Sequence, residues 1–185
     1  MQLTLAYESV RKEQTRSDLE KVGFRWMVRS DLEEVLTLER RCFEYRWTKE
    51  DFAECLSRRN CAGMVALYEG RIVGFMVYEV GKRRIELISL AIAPEEQRRG
   101  TGRALVMRLI RKLRANRRTK ISVTVRERNL QAQLFFRELG FRASSIMRQF
   151  YEPAAEDAYV MQFRLNRNGA SAQDSTGLFR PVTLS

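Results

Sequence analysis

The stretch that decides the fold reads Leu90-Ala91-Ile92-Ala93-Pro94-Glu95-Glu96-Gln97-Arg98-Arg99-Gly100-Thr101-Gly102-Arg103. It runs from an apolar strand through a proline that stops the ladder, then into two glycines and a strongly basic helical pattern. Two glycines one residue apart let consecutive main-chain N–H groups converge on one concave point without Cβ obstruction, and the helix amino terminus adds positive partial charge there. Such a turn suits a diphosphate, and Arg98, Arg99 and Arg103 place fork-shaped donors at its rim. The stretch lacks the Lys-Ser/Thr pair of a P-loop, and its glycines do not follow the first strand of a βαβ unit as a Rossmann fingerprint requires.

Working outward, residues 24–28 read as a short strand. Ser30-Asp31-Leu32-Glu33 reads as a capping box opening a helix with Leu32, Val35, Leu36 and Leu38 on its inner face. Thr48-Lys49-Glu50-Asp51 opens a second helix with Phe52, Cys55 and Leu56 inward. Residues 63–69, 71–80 and 84–92 are β-rich and divided by Glu69-Gly70-Arg71 and Gly81-Lys82-Arg83 turn signals, which predicts an antiparallel meander. Beyond the glycines, 104–115 is an amphipathic helix with Leu105, Leu109, Ile110 and Leu113 inward, and 120–125 alternates as a strand. A helix over 130–139 closes on Gly140, and 141–150 with 158–165 completes the sheet. The alternation predicts an α/β fold: a mixed, mostly antiparallel sheet of six to seven strands with helices on both faces. One domain is expected over 24–165, with a flexible extension over 1–23 and a flexible tail over 166–185.

Composition narrows the chemistry. The chain has 185 residues, 44% of them hydrophobic, enough for one core and too few for two comfortable domains. No apolar run approaches the roughly 20 residues that span a bilayer, and the amino terminus lacks a basic region ahead of an apolar core, so a cytoplasmic protein without membrane contact is expected. Cys42, Cys55 and Cys61 have no Cys-x-x-Cys spacing, and they read as reduced, half-buried thiols rather than metal ligands. The chain has no His. Ser-His-Asp, Cys-His and His-ligated zinc mechanisms are thereby excluded, no metal is expected, and acid-base work falls to carboxylates, Tyr, Lys, Cys or water. The net charge is +11, and residues 98–120 hold ten basic side chains and no acidic one. Attraction to a phosphate-rich cofactor or to RNA is one reading of that run, and a solvated outer helix face is the other.

Gln97-Arg98-Arg99-Gly100-Thr101-Gly102 is similar to the Gln/Arg-x-x-Gly-x-Gly/Ala signature of the GNAT N-acetyltransferases, and the order of elements matches as well. The resemblance covers about residues 25–164. Within that superfamily the sequence resembles the bacterial ribosomal-protein-alanine N-acetyltransferases, through Glu39 followed eight residues on by Trp47-Thr48, and through Tyr151-Glu152-Pro153 and Glu156-Asp157-Ala158-Tyr159-Val160-Met161. The resemblance implies an acetyl-coenzyme A-dependent transfer to an amine. It also implies that Leu90, Ala91 and Ile92 hold the pantetheine arm and acetyl carbonyl through exposed main chain, that Arg98, Arg99, Gly100, Thr101, Gly102 and Arg103 take the pyrophosphate, and that Asn129 binds the cofactor's arm. Asn129 also reads as an ordinary N-cap. The acceptor is implied to enter at the connection carrying Tyr45 and Trp47, although Trp47 equally reads as a staple for the following helix.

The catalytic pattern departs from the family. Where the alanine acetyltransferases carry a Glu in the strand before that Asn, and a Tyr before the Leu-Gly-Phe run, this chain has Thr124 and Phe136. Glu86 matches the position where histone acetyltransferases of the superfamily place their base; it also reads as a surface Glu beside Arg83 or Arg84. Tyr151 is the candidate for assisting the leaving thiolate or for touching the peptide. An α-amine with pKa near 7.7 to 8.0 is roughly 10% neutral at pH 7, against about one in two thousand for a Lys amine, so an α-amine tolerates a weak base best. Three functions stand: an acetyltransferase for a peptide or protein amino terminus, ribosomal proteins included; a small-amine acetyltransferase; and a coenzyme A- or RNA-binding module without turnover.

Overall fold

The structure is a computed structural model that describes residues 21–115, 118–151 and 155–165. The extension and tail expected over 1–23 and 166–185 lie outside the described residues except for 21–23, where Gly23 already opens the first strand. In chain order the elements are β1 (Gly23–Trp26), α1 (Leu32–Cys42), α2 (Lys49–Ser57), β2 (Cys61–Tyr68), β3 (Arg71–Val80), β4 (Arg84–Ile92), α3 (Thr101–Ala115), β5 (Lys120–Arg126), α4 (Leu130–Glu138), β6 (Arg142–Tyr151) and β7 (Glu156–Arg164). One sheet runs β1-β2-β3-β4-β5-β7-β6. Every pairing is antiparallel except β4 with β5, which are joined through α3.

Two apolar layers hold this sheet. On one face Leu105, Leu109 and Leu113 of α3 and Phe136 of α4 pack with Tyr78, Ile85, Leu87, Ile121 and Val123. On the other, Leu32, Val35 and Leu38 of α1 and Phe52 of α2 pack with Val65, Phe75, Val77 and Ala91. The inward positions read from helical spacing in α3 are all buried.

Two sequence expectations are corrected. The Ser30 box does not form: residues Arg29–Asp31 are a 3-10 turn, and it is Asp31 whose Oδ2 accepts the Val28 N–H at 2.8 Å. Arg25 donates to both oxygens of that carboxylate, at 2.6 and 2.8 Å. A bidentate charged pair outweighs a single hydroxyl cap, so Asp31 is buried and Ser30 is left exposed. Second, Cys55 and Cys61 are not reduced thiols. They form a disulfide with Cα atoms 6.1 Å apart, a normal span, because the turn after α2 doubles the chain back. Cys42 stays free, half-buried, with its thiol pushed up by burial.

What positions the site is an irregularity in β4. Val77 pairs with Ser89 but Tyr78 with Leu87, which leaves Ile88 as an extra, exposed residue. A one-residue bulge swaps the alternation. Ile85 and Leu87 face α3 before it, while Leu90 and Ile92 face α3 after it and Ala91 turns to α1. The parallel ladder to β5 stops at the same place, with Leu87 opposite Val123. Beyond that pair β4 keeps β3 on one edge and has no strand on the other, so β4 and β5 part like the arms of a V.

Candidate active site

The glycine turn sits at the open end of that V. Arg98 and Gly100 both take positive φ, 65° and 90°. The left-handed conformation is easy for Gly100 and costly for Arg98, and such strain concentrates where a ligand is held. Among the described residues no main-chain acceptor takes the N–H groups of residues 98–103; the first helical bond runs from Ala104 N–H to the Gly100 carbonyl at 2.9 Å. Those free donors at the start of a helix fit a pyrophosphate. The individual residues contribute unequally. Thr101 is buried, and Arg99 is ion-paired to Glu96 at 3.2 Å. Arg98 and Arg103 are exposed. At Gly102 a Cβ would stand in ordinary contact with Ile92 Cγ1 at 3.4 Å and Phe135 Cζ at 3.5 Å, so a larger branched side chain has no room between α3, β4 and α4. Of the three β4 residues, Ile92 has its carbonyl engaged by Gln97 Nε2 at 3.1 Å and by the Cys42 thiol at 3.5 Å, Ala91 turns its main chain to Phe75 of β3, and Leu90 is the one whose main chain faces the open edge.

On the other side of the V lies a cleft of about 470 Å³ lined by Tyr45, Arg126, Arg128, Asn129, Gln131 and Glu156, among others. Tyr45 and Tyr151 meet across Arg126, whose Cζ lies 4.4 Å from one ring centroid and 3.8 Å from the other. Burial pushes the Tyr151 phenol up, and the Arg126 charge opposes that shift. Glu156, buried, accepts from Arg126 Nη1 at 2.7 Å and from the Arg128 N–H at 3.0 Å. Those bonds, the Arg128 N–H first, hold its carboxyl below the usual range against the opposing effect of burial. Asn129 caps α4 through the Ala132 N–H at 3.0 Å, and its position in the cleft leaves its amide nitrogen for a ligand. Trp47 is not in the cleft. Its ring packs on Phe52 at 5.0 Å, as a staple does.

Glu86 faces the same side of the sheet as Ser122, Thr124 and Arg126. It is about one third exposed and its Oε2 lies 3.2 Å from Arg84 Nη2. Its row stands four residues below Arg126 along β5, roughly 13 Å. Thr124 is half-buried on the splayed arm of β5, and Phe136 is core, tilted against Phe141. Among the described residues no group of three or more acidic or Cys side chains is placed to hold a metal ion.

Sequence reasoning missed Arg126 and the functional side of Glu156. Arg126 ends an alternating strand and looks like a solvated charge; only the β5–β7 register, which sets it opposite Ala158, brings it to Glu156 and Tyr151. Glu39 was seen only as a spacing. In the structure it is 2% exposed, its Oε1 accepts the Trp47 N–H at 3.1 Å, and Oε2 has no partner, so the α1–α2 connection hangs on a buried carboxylate whose pKa is raised by burial.

Comparison with known proteins agrees with this geometry. The chain is 28% identical over 134 residues to the ribosomal protein bS18-alanine N-acetyltransferase of Escherichia coli, covering 71% of this chain and 90% of that protein. The crystal structure of that Escherichia coli enzyme superposes with a TM-score of 0.72 at 25% identity, covering 80% of this chain and 97% of the other. The PaiA N-acetyltransferase of Thermoplasma acidophilum, solved in complex with coenzyme A, shares the fold with a TM-score of 0.67 at 15% identity, over 78% of this chain and 99% of that one. Residues 32–141, more than half of the sequence, match the acetyltransferase (GNAT) family, and the chain belongs to that family as an N-acetyltransferase.

Proposed function

We propose that this chain transfers an acetyl group to the α-amine at the amino terminus of a protein or peptide, a ribosomal protein being the acceptor that its Escherichia coli relative suggests. The observation that carries the reading is the V between β4 and β5, with the free N–H groups of residues 98–103 on one side and, on the other, the cleft lined by Tyr45 and Arg126, with Tyr151 packed on that arginine. Donor and acceptor can then approach from opposite sides and meet at the unpaired edge of β4. The donor, acetyl-coenzyme A, supplies a thioester carbonyl for the amine to attack and a thiolate to leave.

In this reading the N–H groups of residues 98–103, with Arg98 and Arg103, bind the pyrophosphate. The main chain of Leu90 orients the acetyl carbonyl, Ala91 and Ile92 anchor the strand end, and Asn129 holds the cofactor's arm. Tyr151, packed on Arg126, serves as proton donor or peptide contact, and its raised pKa keeps the phenol protonated. Glu86 is the base proposed to receive the amine proton through water. Its ion pair with Arg84 and the distance to Arg126 require a chain of waters rather than direct contact. Tyr45 lines the acceptor entry, with Trp47 supporting it from the core. RNA contact by the basic helix falls to Arg111 and Arg114, because Arg108 and Lys112 are spent on the Phe24 and Trp26 rings, 3.5 and 5.1 Å from their centroids.

A panel of peptides and small amines assayed with acetyl-coenzyme A tests the reading. A free peptide α-amine should outpace Lys side chains and simple alkylamines; turnover confined to small amines would replace it with the second function. Glu86→Gln should leave cofactor affinity intact and lower kcat by roughly 10²-fold at neutral pH, the loss shrinking as pH rises and the amine deprotonates unaided. Full activity of that variant would remove Glu86 from the mechanism while leaving the acceptor assignment standing.

A further inference from the structure

Arg126 is held in an arrangement that a merely structural arginine does not need. Two rings lie against its guanidinium, Tyr45 from the α1–α2 connection at 4.4 Å and Tyr151 from β6 at 3.8 Å. One corner of its plane is taken by Glu156, through Nη1 at 2.7 Å. The remaining in-plane donors, Nε and Nη2, have no hydrogen-bond partner among the described residues, while the side chain is 23% exposed and lines the acceptor cleft. Glu156 is itself fixed by the Arg128 N–H, and the guanidinium can swing away to solvent only by leaving that carboxylate and both rings. The result is a rigid, planar fork of N–H groups presented edge-on to a half-dry cavity. Such a fork takes an oxygen lone pair, and it repels a cation.

We infer that Arg126 reads the carbonyl oxygen of the acceptor's first residue, and so selects amines that carry an acyl group on the adjacent carbon. The inference rests on the amino-terminal reading above and narrows it to a chemical rule. In a peptide amino terminus the carbon bearing the amine also bears a C=O, so a donor beside the reactive nitrogen has an acceptor to bind. In a Lys side chain or an alkylamine the neighbouring carbons carry only hydrogens, and Arg126 would be left facing them with unpaired, partly desolvated donors. A site built to hydrogen-bond a group rejects analogues that lack it far better than an apolar pocket rejects a change of size.

The test uses the full-length protein and two acceptors that differ in one group: a peptide with a free amino terminus, and the same peptide with its first amide replaced by an (E)-alkene, which keeps shape and removes the carbonyl. Rates are referred to the concentration of neutral amine. Wild type should favour the amide by about 10- to 100-fold in kcat/KM, the worth of a hydrogen bond from a charged group. Arg126→Met should erase most of that preference by slowing the amide alone, with the KM for acetyl-coenzyme A unchanged, and Arg126→Lys should restore part of it. Equal rates for the two acceptors in wild type overturn the inference, whatever the variants do. So does an Arg126→Met protein that folds, binds acetyl-coenzyme A and slows both acceptors alike. If wild type acetylates neither acceptor but does acetylate alkylamines, it is the amino-terminal reading that has failed.

Discussion

Glu39 shows how one side chain can set the acceptor wall at a cost to the whole protein. Its carboxylate is buried to hold the Trp47 N–H, with one oxygen unpaired, and burial raises its pKa. For an acid whose folded pKa lies above its unfolded value, stability falls as pH rises from about 4.3 through the folded value, and the penalty then persists at neutral pH. Glu39→Gln keeps an oxygen for Trp47 and removes the charge. It should therefore raise stability at pH 7 by about 1 kcal/mol, or about 2–4 °C in Tm, with the gain vanishing below about pH 4. Thermal melts at pH 4 and 7 check this, and a variant less stable than wild type at both would show that the second oxygen has a partner. Tyr78 offers a control in the opposite core layer: its hydroxyl is buried, unpaired and pushed up to about 12 by burial, so Tyr78→Phe should be neutral or stabilising at every pH below that. Neither orphan was legible in the sequence, because whether a polar atom finds a partner depends on packing between elements. The 98–103 turn was legible, since its residues are contiguous and their chemistry is local.

At the scale of elements, α3 divides along its length. Its first turn faces the V, Arg108 and Lys112 lie over rings of β1, and Arg111 and Arg114 are exposed. Arg98→Ala and Arg103→Ala should weaken coenzyme A binding by about 10-fold each, while Arg111→Ala and Arg114→Ala leave it unchanged; calorimetric titration separates the two pairs. Gly102→Val should weaken it more, and for a packing reason. The added carbons meet Ile92 and Phe135 at once, so the helix start must lift off β4 and take its N–H groups with it. Unchanged affinity in a folded Gly102→Val protein would refute that coupling. Element order was readable because each segment carries its own start and stop: Thr48 and Asp51 bond reciprocally as their spacing predicts, and Gly140 takes φ of 89° as a helix-ending glycine should. Ser30 misled because the competing carboxylate next to it draws on Arg25, whose approach depends on β1 lying beside the turn. The Cys55–Cys61 bridge misled in the same way, since the turn that joins them has no distinctive spacing.

Across the whole molecule, two antiparallel halves meet at one short seam. Strands β1 to β4 form a local meander, β5 to β7 form a second sheet half, and only the rows from Arg84–Lys120 to Leu87–Val123 join them in register. The layers of Leu and Phe beneath carry the rest of the join, which is why periodicity alone announces a mixed sheet, while the place where it opens, at Leu90 to Ile92, was implied only by the family resemblance. The bulge at Ile88 has no signature of its own: residues 84–92 read as one uninterrupted strand. That opening has a consequence for solubility. A strand edge left without a neighbour is a template on which another chain can build, and proteins ordinarily confine such edges to the rim of a sheet. Here β4 exposes one in the middle, around Leu90. The ligand-free protein should accordingly be the form that clouds on warming, and saturating coenzyme A, lying along that edge, should delay light scattering by more than it shifts the unfolding midpoint.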